Sequence, residues 1–406
     1  MNILKYQNVL LLFAFSLPIH EKASTILIIV CLLFFFTDLV LGNERLCFKK
    51  ELVPLPLLFL TYIVVSTIAS GELDFKWVEH KASLLFIPLL FSSTHKIDPQ
   101  KIFKSFVYGC LLAYLICFFL ALKSSLHITE LGIQFNPLLN PNRGFFESMV
   151  YEGNYFFGGH FSQLQQISYF ALYLSFAIGI VLFYSKPLKV RWPIVAALTL
   201  GVVQTASLAG VVNLIMIYSF YLWSLLKDRK LQVLVIIGFA AFIALSAKYH
   251  PRINTTLKGT YKTLINDNSA QYPKQPRLLA WKGATRAVAQ NGAFGVGLGN
   301  AQKELNKHYD YIGFERGVNE NLNAHNQYLQ TLLECGIIGL TLLLMIMYKV
   351  FRTLKKRIGP EKQIGMVFLL LLTVNFLFEN LLNRYIGISF FSFFLCLILT
   401  MNEDLN

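Results

Sequence analysis

The chain has 406 residues, of which 55% are hydrophobic and only 14% are charged. Soluble globular proteins carry about 25% charged residues, so this composition excludes a water-soluble globular protein. Lysine and arginine outnumber aspartate and glutamate by 36 to 22, but no basic stretch interleaved with aromatic residues forms a stacking platform for nucleic acid. We therefore expect an all-α polytopic membrane protein that contacts the lipid bilayer and binds no nucleic acid.

The apolar residues fall into runs that can cross a bilayer as helices, which takes about 20 residues for a full span. Twelve such runs are predicted: residues 3–19, 24–42, 52–70, 78–94, 101–122, 161–184, 191–207, 208–226, 231–247, 323–350, 364–382 and 386–401. Lys5 is the only basic residue at the start of the first run, and no small-residue cleavage site follows the run. It is therefore interpreted as a retained span and not as a signal peptide.

The seventh and eighth runs form one apolar stretch of 34 residues, Trp192–Leu225. As one helix it would be about 51 Å long, against a hydrocarbon core of about 30 Å. Basic residues flank both ends, which places both ends on the cytoplasmic side. The chain must therefore cross twice, and we predict its turn near Gln204–Gly210, where small and polar residues cluster.

The connecting loops sort by charge. Short basic loops indicate the cytoplasmic side, where we also expect both termini. These loops span residues 45–50, 95–104, 186–191, 227–230 and 349–362. We expect three regions: residues 1–247 with nine spans and an outer loop at 123–160, residues 248–322 as a large periplasmic loop, and residues 323–406 with three spans.

The large outer loop, residues 248–322, holds eleven Lys or Arg against five Asp or Glu. This excess allows two interpretations: a tolerated solvated surface, or an anion site facing the periplasm. The order of motifs favours the second. Residues Pro276–Gln290 are predicted to form an amphipathic interfacial helix with Trp281 as its anchor, and Lys282 and Arg286 share one face of it.

Two further motifs follow that helix. Residues 294–300 (FGVGLGN) place glycines at alternate positions, which lets the backbone pass close to another group. A nucleotide fingerprint would need a preceding strand, which is not plausible here. Asn321 or Asn323 is then predicted to cap the tenth span, with His325 in its first turn.

Metal chemistry has no support in the sequence. No two histidines stand at the spacing of an HExxH zinc site. The six cysteines lie in or beside apolar segments and none is paired at CxxC spacing, so we predict no metal site, no cofactor and no structural disulfide. Glu379, in the eleventh predicted span, is costly there, and we expect it to form a structural pair with Arg384.

The three elements together resemble the O-antigen ligase and polymerase superfamily. They are Arg277-Leu-Leu-Ala-Trp281, then Phe294-Gly-Val-Gly-Leu-Gly-Asn300, then His325-Asn326 followed by Leu-rich residues and Gly336-Ile-Ile-Gly339. The match covers about residues 277–340. It implies a GT-C type fold of twelve helices in the bacterial inner membrane, with an active site between the large loop and the helix bundle.

The same resemblance implies a metal-independent, inverting glycosyltransferase. Its donor would be a polysaccharide on undecaprenyl pyrophosphate, and its acceptor a sugar hydroxyl of the lipid A core. Arg277 matches the loop arginine of the family and would bind the diphosphate, and His325 matches the essential histidine and would act as base.

One departure from the family pattern leaves the second phosphate ligand open. Many members carry an arginine directly after the serine at the turn between spans seven and eight, whereas Ser207 is followed here by Leu208. The alternatives, in addition to Arg277, are Arg286, Lys282, Arg143 and Gln204.

Two other functions stay open. An O-antigen or exopolysaccharide polymerase would use the same chemistry with another lipid-linked glycan as acceptor. A lipid-linked glycan transporter would also suit twelve spans, although no convincing internal repeat of the kind found in transporters is visible.

Overall fold

A computed structural model describes residues 3–94, 97–130, 132–140, 142, 144, 147–148, 153–184, 190–226, 228, 230–234, 237–238, 258–259, 261 and 275–401. Helices dominate these residues. The elements in chain order are α1 (Ile3–Ser16), α2 (Glu21–Val40), α3 (Pro54–Ser70), α4 (Phe75–Lys81), α5 (Ser83–Phe91), α6 (Pro99–Ser125), β1 (Leu126–Thr129), β2 (Gly132–Phe135), α7 (Ile167–Phe183), α8 (Arg191–Gln204), α9 (Leu208–Leu225), α10 (Pro276–Asn291), α11 (Gly297–Tyr311), α12 (Glu315–Asn319), α13 (Gln327–Lys356), α14 (Pro360–Phe378) and α15 (Tyr385–Thr400).

Five of the helices in the described part of the chain are long and apolar enough to cross a membrane: α2, α6, α9, α13 and α14. Shorter apolar helices accompany them, among them α3, α7 and α15. The expected polytopic helical membrane protein is confirmed at this level, and twelve crossings stay a prediction. Most of the ninth predicted span, 231–247, lies outside the described residues.

Some predicted boundaries need correction. The run predicted as one span over 78–94 consists of two helices, α4 and α5, which meet at Ala82. The chain after α6 forms a two-stranded antiparallel hairpin, in which Ile128 pairs with Ile133. The protein is therefore not purely helical.

The turn predicted near Gln204–Gly210 is confirmed. Helix α8 ends at Gln204 and α9 begins at Leu208. The Ser207 side chain caps α9 by accepting a hydrogen bond from the Gly210 backbone N–H at 3.2 Å. A serine in this position satisfies a backbone donor that the first helical turn leaves unpaired.

The centre of the bundle is formed by α7 and α15, whose residues are almost all buried. Both are apolar around their whole circumference, as expected for a helix that has neighbours on every side. Aromatic rings fill the space between helices: Phe106 of α6, Phe176 of α7 and Phe394 of α15 lie within 4.8–5.8 Å of one another by ring centroid.

Helices α10, α11 and α12 form a separate small core, which includes Ala280, Ala284, Leu305, Tyr309 and Phe314. Small residues on α10 let α11 approach closely. A Cβ atom added at Gly283 would lie 2.4 Å from a Tyr309 ring carbon. We call this group of three helices the outer layer.

The glycine-rich segment joins the outer layer to α13. Helix α13 is kinked at Gly336, whose backbone has φ 64° and ψ −165°. The segment before α11 supplies hydrogen bonds at this kink: Val296 N–H donates to the Leu333 carbonyl at 2.8 Å, and Ile337 N–H donates to the Ala293 carbonyl at 3.3 Å. The glycines therefore allow the backbone of the segment before α11 to contact the backbone of α13 at its kink.

Gly336 and Gly295 are both required for this contact. A Cβ atom at Gly336 would lie 2.6 Å from the Ala293 carbonyl oxygen, and one at Gly295 would lie 2.6 Å from the Gly336 nitrogen. Both residues also have positive φ, a conformation that residues with a side chain rarely adopt.

We predict that Gly336→Ala lowers the free energy of unfolding by more than about 2 kcal/mol, because backbone strain adds to a backbone clash. The matched control is Gly313→Ala, which has a similar φ of 68° and no atom within 4 Å of its added Cβ. It should cost only about 1 kcal/mol. Unfolding of purified protein in detergent measures both, and equal losses in the two variants would contradict this account of the glycine segment.

Candidate functional site

The carboxylate of Glu379 joins two of the residues singled out in the sequence. Its Oε2 lies 3.9 Å from the Arg277 Nη2, and its Oε1 lies 3.7 Å from the His325 Nδ1. The distance to Arg277 is that of an ion pair, and both distances are longer than hydrogen bonds. Three segments therefore meet at one point: the start of α10, the residues before α13 and the end of α14.

His325 lies just outside α13. The predicted position in the first helical turn is wrong, and so are the predicted caps Asn321 and Asn323. The helix begins at Gln327, and Asn326 caps it by accepting a hydrogen bond from the Leu329 N–H at 3.1 Å. Because Asn326 is the cap, the preceding histidine is free to adopt a non-helical conformation.

The backbone of His325 is held at both of its polar groups. It has φ 46°, a strained value that persists only where the surroundings impose it. Its N–H donates to the Asn323 side chain at 2.9 Å, and its carbonyl accepts a hydrogen bond from the Trp281 indole at 3.2 Å. The backbone hydrogen bonds and Glu379 together therefore orient the imidazole.

Glu379 directly follows the last residue of α14 and lies outside that helix, in extended conformation. The structure therefore corrects its predicted place within a span, and its predicted partner. Its carboxylate pairs with Arg277 and contacts the His325 imidazole, and it does not pair with Arg384. Burial disfavours its charged form, but the interactions with His325 and Arg277 outweigh burial and lower the pKa of the carboxyl.

Arg277 lies in the first turn of α10, directly after Pro276. Pro276 is the first residue of the helix, a position that proline favours. Trp281, one turn later, stacks on Phe378 with ring centroids 6.1 Å apart. Because Phe378 precedes Glu379, this stacking holds the arginine side of the site against the end of α14. The Arg277 side chain remains 38% exposed, so it can reach a ligand from solvent.

A buried polar network lies beneath the site, centred on Gln330 of α13. Its Oε1 accepts hydrogen bonds from the Ala324 N–H and from the Asn380 amide, each at 3.1 Å. Its Nε2 donates to Glu334 at 2.6 Å. Ala324 precedes His325 and Asn380 follows Glu379, so one buried amide fixes the chain beside both residues.

The structure describes three of the other predicted phosphate ligands, and none of the three is among the described partners of the Glu379 carboxylate. Lys282 and Arg286 are exposed on α10, and the Arg286 guanidinium lies over the Tyr311 ring, 4.3 Å from its centroid. Gln204 is buried at the end of α8. Arg143 lies outside the described residues.

Sequence reasoning did not identify Glu379 and Gln330 as parts of this site. A signal for Glu379 was present, since an acidic residue beside an apolar span is costly without a cationic partner. The sequence offered Arg384 as the nearest cation. Gln330 carried no signal of its own, because a glutamine at a helix start is common on exposed surfaces.

The fold and the cluster define a polytopic membrane protein in which an outer layer brings an arginine to a histidine and a carboxylate at the ends of two apolar helices. Residues 192–344 match the family described as O-antigen ligase. The resemblance deduced from the three motifs is thereby confirmed over a segment that includes Arg277 and His325. No curated protein matched the chain.

We predict that Gln330→Leu lowers the free energy of unfolding by about 2–4 kcal/mol, because it leaves the Ala324 N–H and the Asn380 amide buried without a partner. The control is Gln290→Leu, at an exposed position of α10. This variant should change the free energy of unfolding by less than about 0.5 kcal/mol. Denaturation in detergent measures both. A Gln330 variant as stable as the control would mean that the network does not hold the site.

Proposed function

We propose that the protein is a membrane glycosyltransferase that moves a glycan from a lipid diphosphate to a sugar hydroxyl, and specifically an O-antigen ligase. The observation that carries the proposal is the Glu379 carboxylate between Arg277 and His325, in a chain that matches the O-antigen ligase family. We further propose undecaprenyl pyrophosphate as the donor carrier and the lipid A core as acceptor.

Arg277 would bind the diphosphate of the donor. Its guanidinium keeps its charge at any physiological pH and can hold two phosphate oxygens in one plane. When the glycan leaves the carrier, negative charge accumulates on the diphosphate. A fixed arginine stabilises that charge as it develops.

His325 would act as the general base. Its Nδ1 faces Glu379, which leaves Nε2 for the attacking hydroxyl. The hydroxyl oxygen bonds to the anomeric carbon, its proton passes to Nε2, and the bond from that carbon to the diphosphate breaks with its electron pair on the phosphate. Displacement from the opposite side inverts the anomeric centre.

Glu379 would hold the imidazole in the required tautomer and stabilise the imidazolium that forms. Carboxylates have this role beside catalytic histidines in unrelated hydrolases. The lowered pKa of Glu379 keeps it negatively charged at neutral pH, as this role requires. It also orients Arg277 beside the base, so that donor and acceptor would meet at one carboxylate.

The setting that we propose is the bacterial inner membrane, with both termini in the cytoplasm and the site facing the periplasm. A donor on a polyprenyl carrier and an acceptor on a lipid both reside in a membrane. The site suits two such substrates, because it lies where the apolar helices α13 and α14 meet the outer layer. Lys282, Arg286 and Arg143 remain proposed additional phosphate contacts.

We predict that His325→Ala slows transfer by about 10²–10⁴-fold, since the attacking hydroxyl loses its base. Glu379→Gln should lower kcat by at least about 10²-fold. The control is His127→Ala, on the exposed hairpin, which should keep its activity. Purified protein, lipid-linked glycan and core lipid in detergent suffice for the assay, and full transfer by His325→Ala would remove the proposed mechanism.

We predict that Arg277→Lys raises the donor KM more than the acceptor KM, because lysine keeps the charge and loses the two-point contact with phosphate. Arg316→Lys is the matched control, since Arg316 is exposed and pairs with Glu320. An unchanged donor KM in Arg277→Lys would assign the diphosphate to another residue.

We predict that a strain carrying His325→Ala makes core lipopolysaccharide without polymer and accumulates undecaprenyl-linked O-chains. Gel analysis of the lipopolysaccharide separates this outcome from the polymerase alternative. Core bearing a single repeat unit would indicate a lost polymerase, and core bearing none indicates a lost ligase. A detergent solution has no membrane that separates two compartments. Glycan transfer by the purified protein in detergent would therefore exclude a pure transporter.

A further inference from the structure

A polar cavity of about 390 Å³ lies beside the candidate site and is not used by the mechanism above. The starts of α2, α7 and α15 surround it. Side chains that can hydrogen-bond dominate its lining: Glu21, Gln163, Gln165, Gln166, Tyr169 and Arg384. Its volume falls within the range of about 300–1,000 Å³ that is usual for small-molecule sites.

The cavity shares its wall with the segment that carries Glu379. The Tyr169 hydroxyl donates to the Asn380 carbonyl at 3.1 Å, and Asn380 directly follows Glu379. Ser168, the neighbour of Tyr169, interacts with the Glu379 carboxylate. A ligand that contacts Tyr169 in the cavity would therefore be linked through one hydrogen bond to Asn380, the residue after Glu379.

The lining charges disfavour the diphosphate as occupant. Arg384 supplies one positive charge and Glu21 one negative charge, so the lining has no net charge to offer a strongly anionic group. Arg277, the proposed diphosphate ligand, belongs to α10, which contributes no residue to this lining. The donor diphosphate and the ligand of this cavity would thus bind on different sides of the site.

The lining suits a ligand with several hydroxyl groups. Each glutamine amide can donate to one hydroxyl and accept from its neighbour. The amides of Gln163 and Gln165 are held by hydrogen bonds to the carbonyls of His160 at 2.9 Å and Leu17 at 3.4 Å, so their orientation is fixed before a ligand arrives. Helices α7 and α15 begin without a side-chain cap, and their first N–H groups supply further donors.

We propose that this cavity binds a sugar of the acceptor glycan next to the hydroxyl that attacks. The inference rests on the proposed function, since it assigns the second substrate of that reaction. It places the acceptor between α7 and α15 and the donor diphosphate beside α10, with Glu379 and His325 between them.

The first test measures the two KM values of purified full-length protein. The variants Gln166→Leu and Arg384→Gln should each raise the acceptor KM by about tenfold, as expected for a lost hydrogen bond to a sugar. The donor KM and kcat should change by less than about twofold. Gln290→Leu, an exposed glutamine outside the cavity, is the control and should change none of them.

The second test does not depend on turnover. The variant Gln163→Cys places a thiol at the exposed edge of the cavity, and its reaction with a membrane-impermeant maleimide is measured above the wild-type background. Lipopolysaccharide that carries core and no O-chain should slow the labelling, whereas undecaprenyl pyrophosphate should not. Labelling that neither lipid slows, or that only the diphosphate slows, would overturn the assignment.

The two proposals fail in different ways. If transfer requires His325 but the Gln166 and Arg384 variants keep the wild-type acceptor KM, the cavity is not the acceptor site and the proposed reaction stands. If His325→Ala transfers normally, the reaction itself is wrong. A cavity variant with a lower kcat and an unchanged acceptor KM would also overturn the acceptor assignment.

Discussion

The contact of one buried carboxylate with a guanidinium and an imidazole determines the arrangement around it. Placing an ionised Glu379 at the end of an apolar helix is costly unless opposite charge is close. Arg277 supplies that charge from α10, and the His325 imidazole lies 3.7 Å from the same carboxylate, in the residues before α13. The end of α14, the start of α10 and the residues before α13 must therefore stay together. The same contacts bring Arg277, the proposed phosphate ligand, and His325, the proposed base, to one place.

Rigidity around that carboxylate comes from contacts between backbones. The kink at Gly336 breaks the hydrogen-bond pattern of α13, and the segment before α11 provides partners for the freed groups. The Gln330 amide fixes the residues next to His325 and Glu379 from below. As a result, the outer layer and the membrane helices form one support for the site, although each has its own apolar core.

The local sequence pattern predicted the secondary-structure elements well and predicted the tertiary contacts between them poorly. Apolar run length placed most of the helices, and charge parity located the turn that ends α8 at Gln204. The motif order identified Arg277 and His325. The sequence predicted Asn321 or Asn323 as the cap of α13, whereas the cap is Asn326, and propensity alone does not separate one asparagine from another. Neither could it pair Glu379 with residues far away in the chain, since Arg384 is closer in sequence and tertiary contacts decide the partner.

The most direct test of the central claim needs no substrate. In ¹⁵N-histidine-labelled protein in nanodiscs, the side-chain signal of His325 is assigned by its loss in His325→Gln. The structure predicts that Glu379→Gln shifts this signal, because the carboxylate faces Nδ1, and leaves the signal of the exposed His127 unchanged. A His325 signal that does not respond to Glu379→Gln would contradict the account of the site.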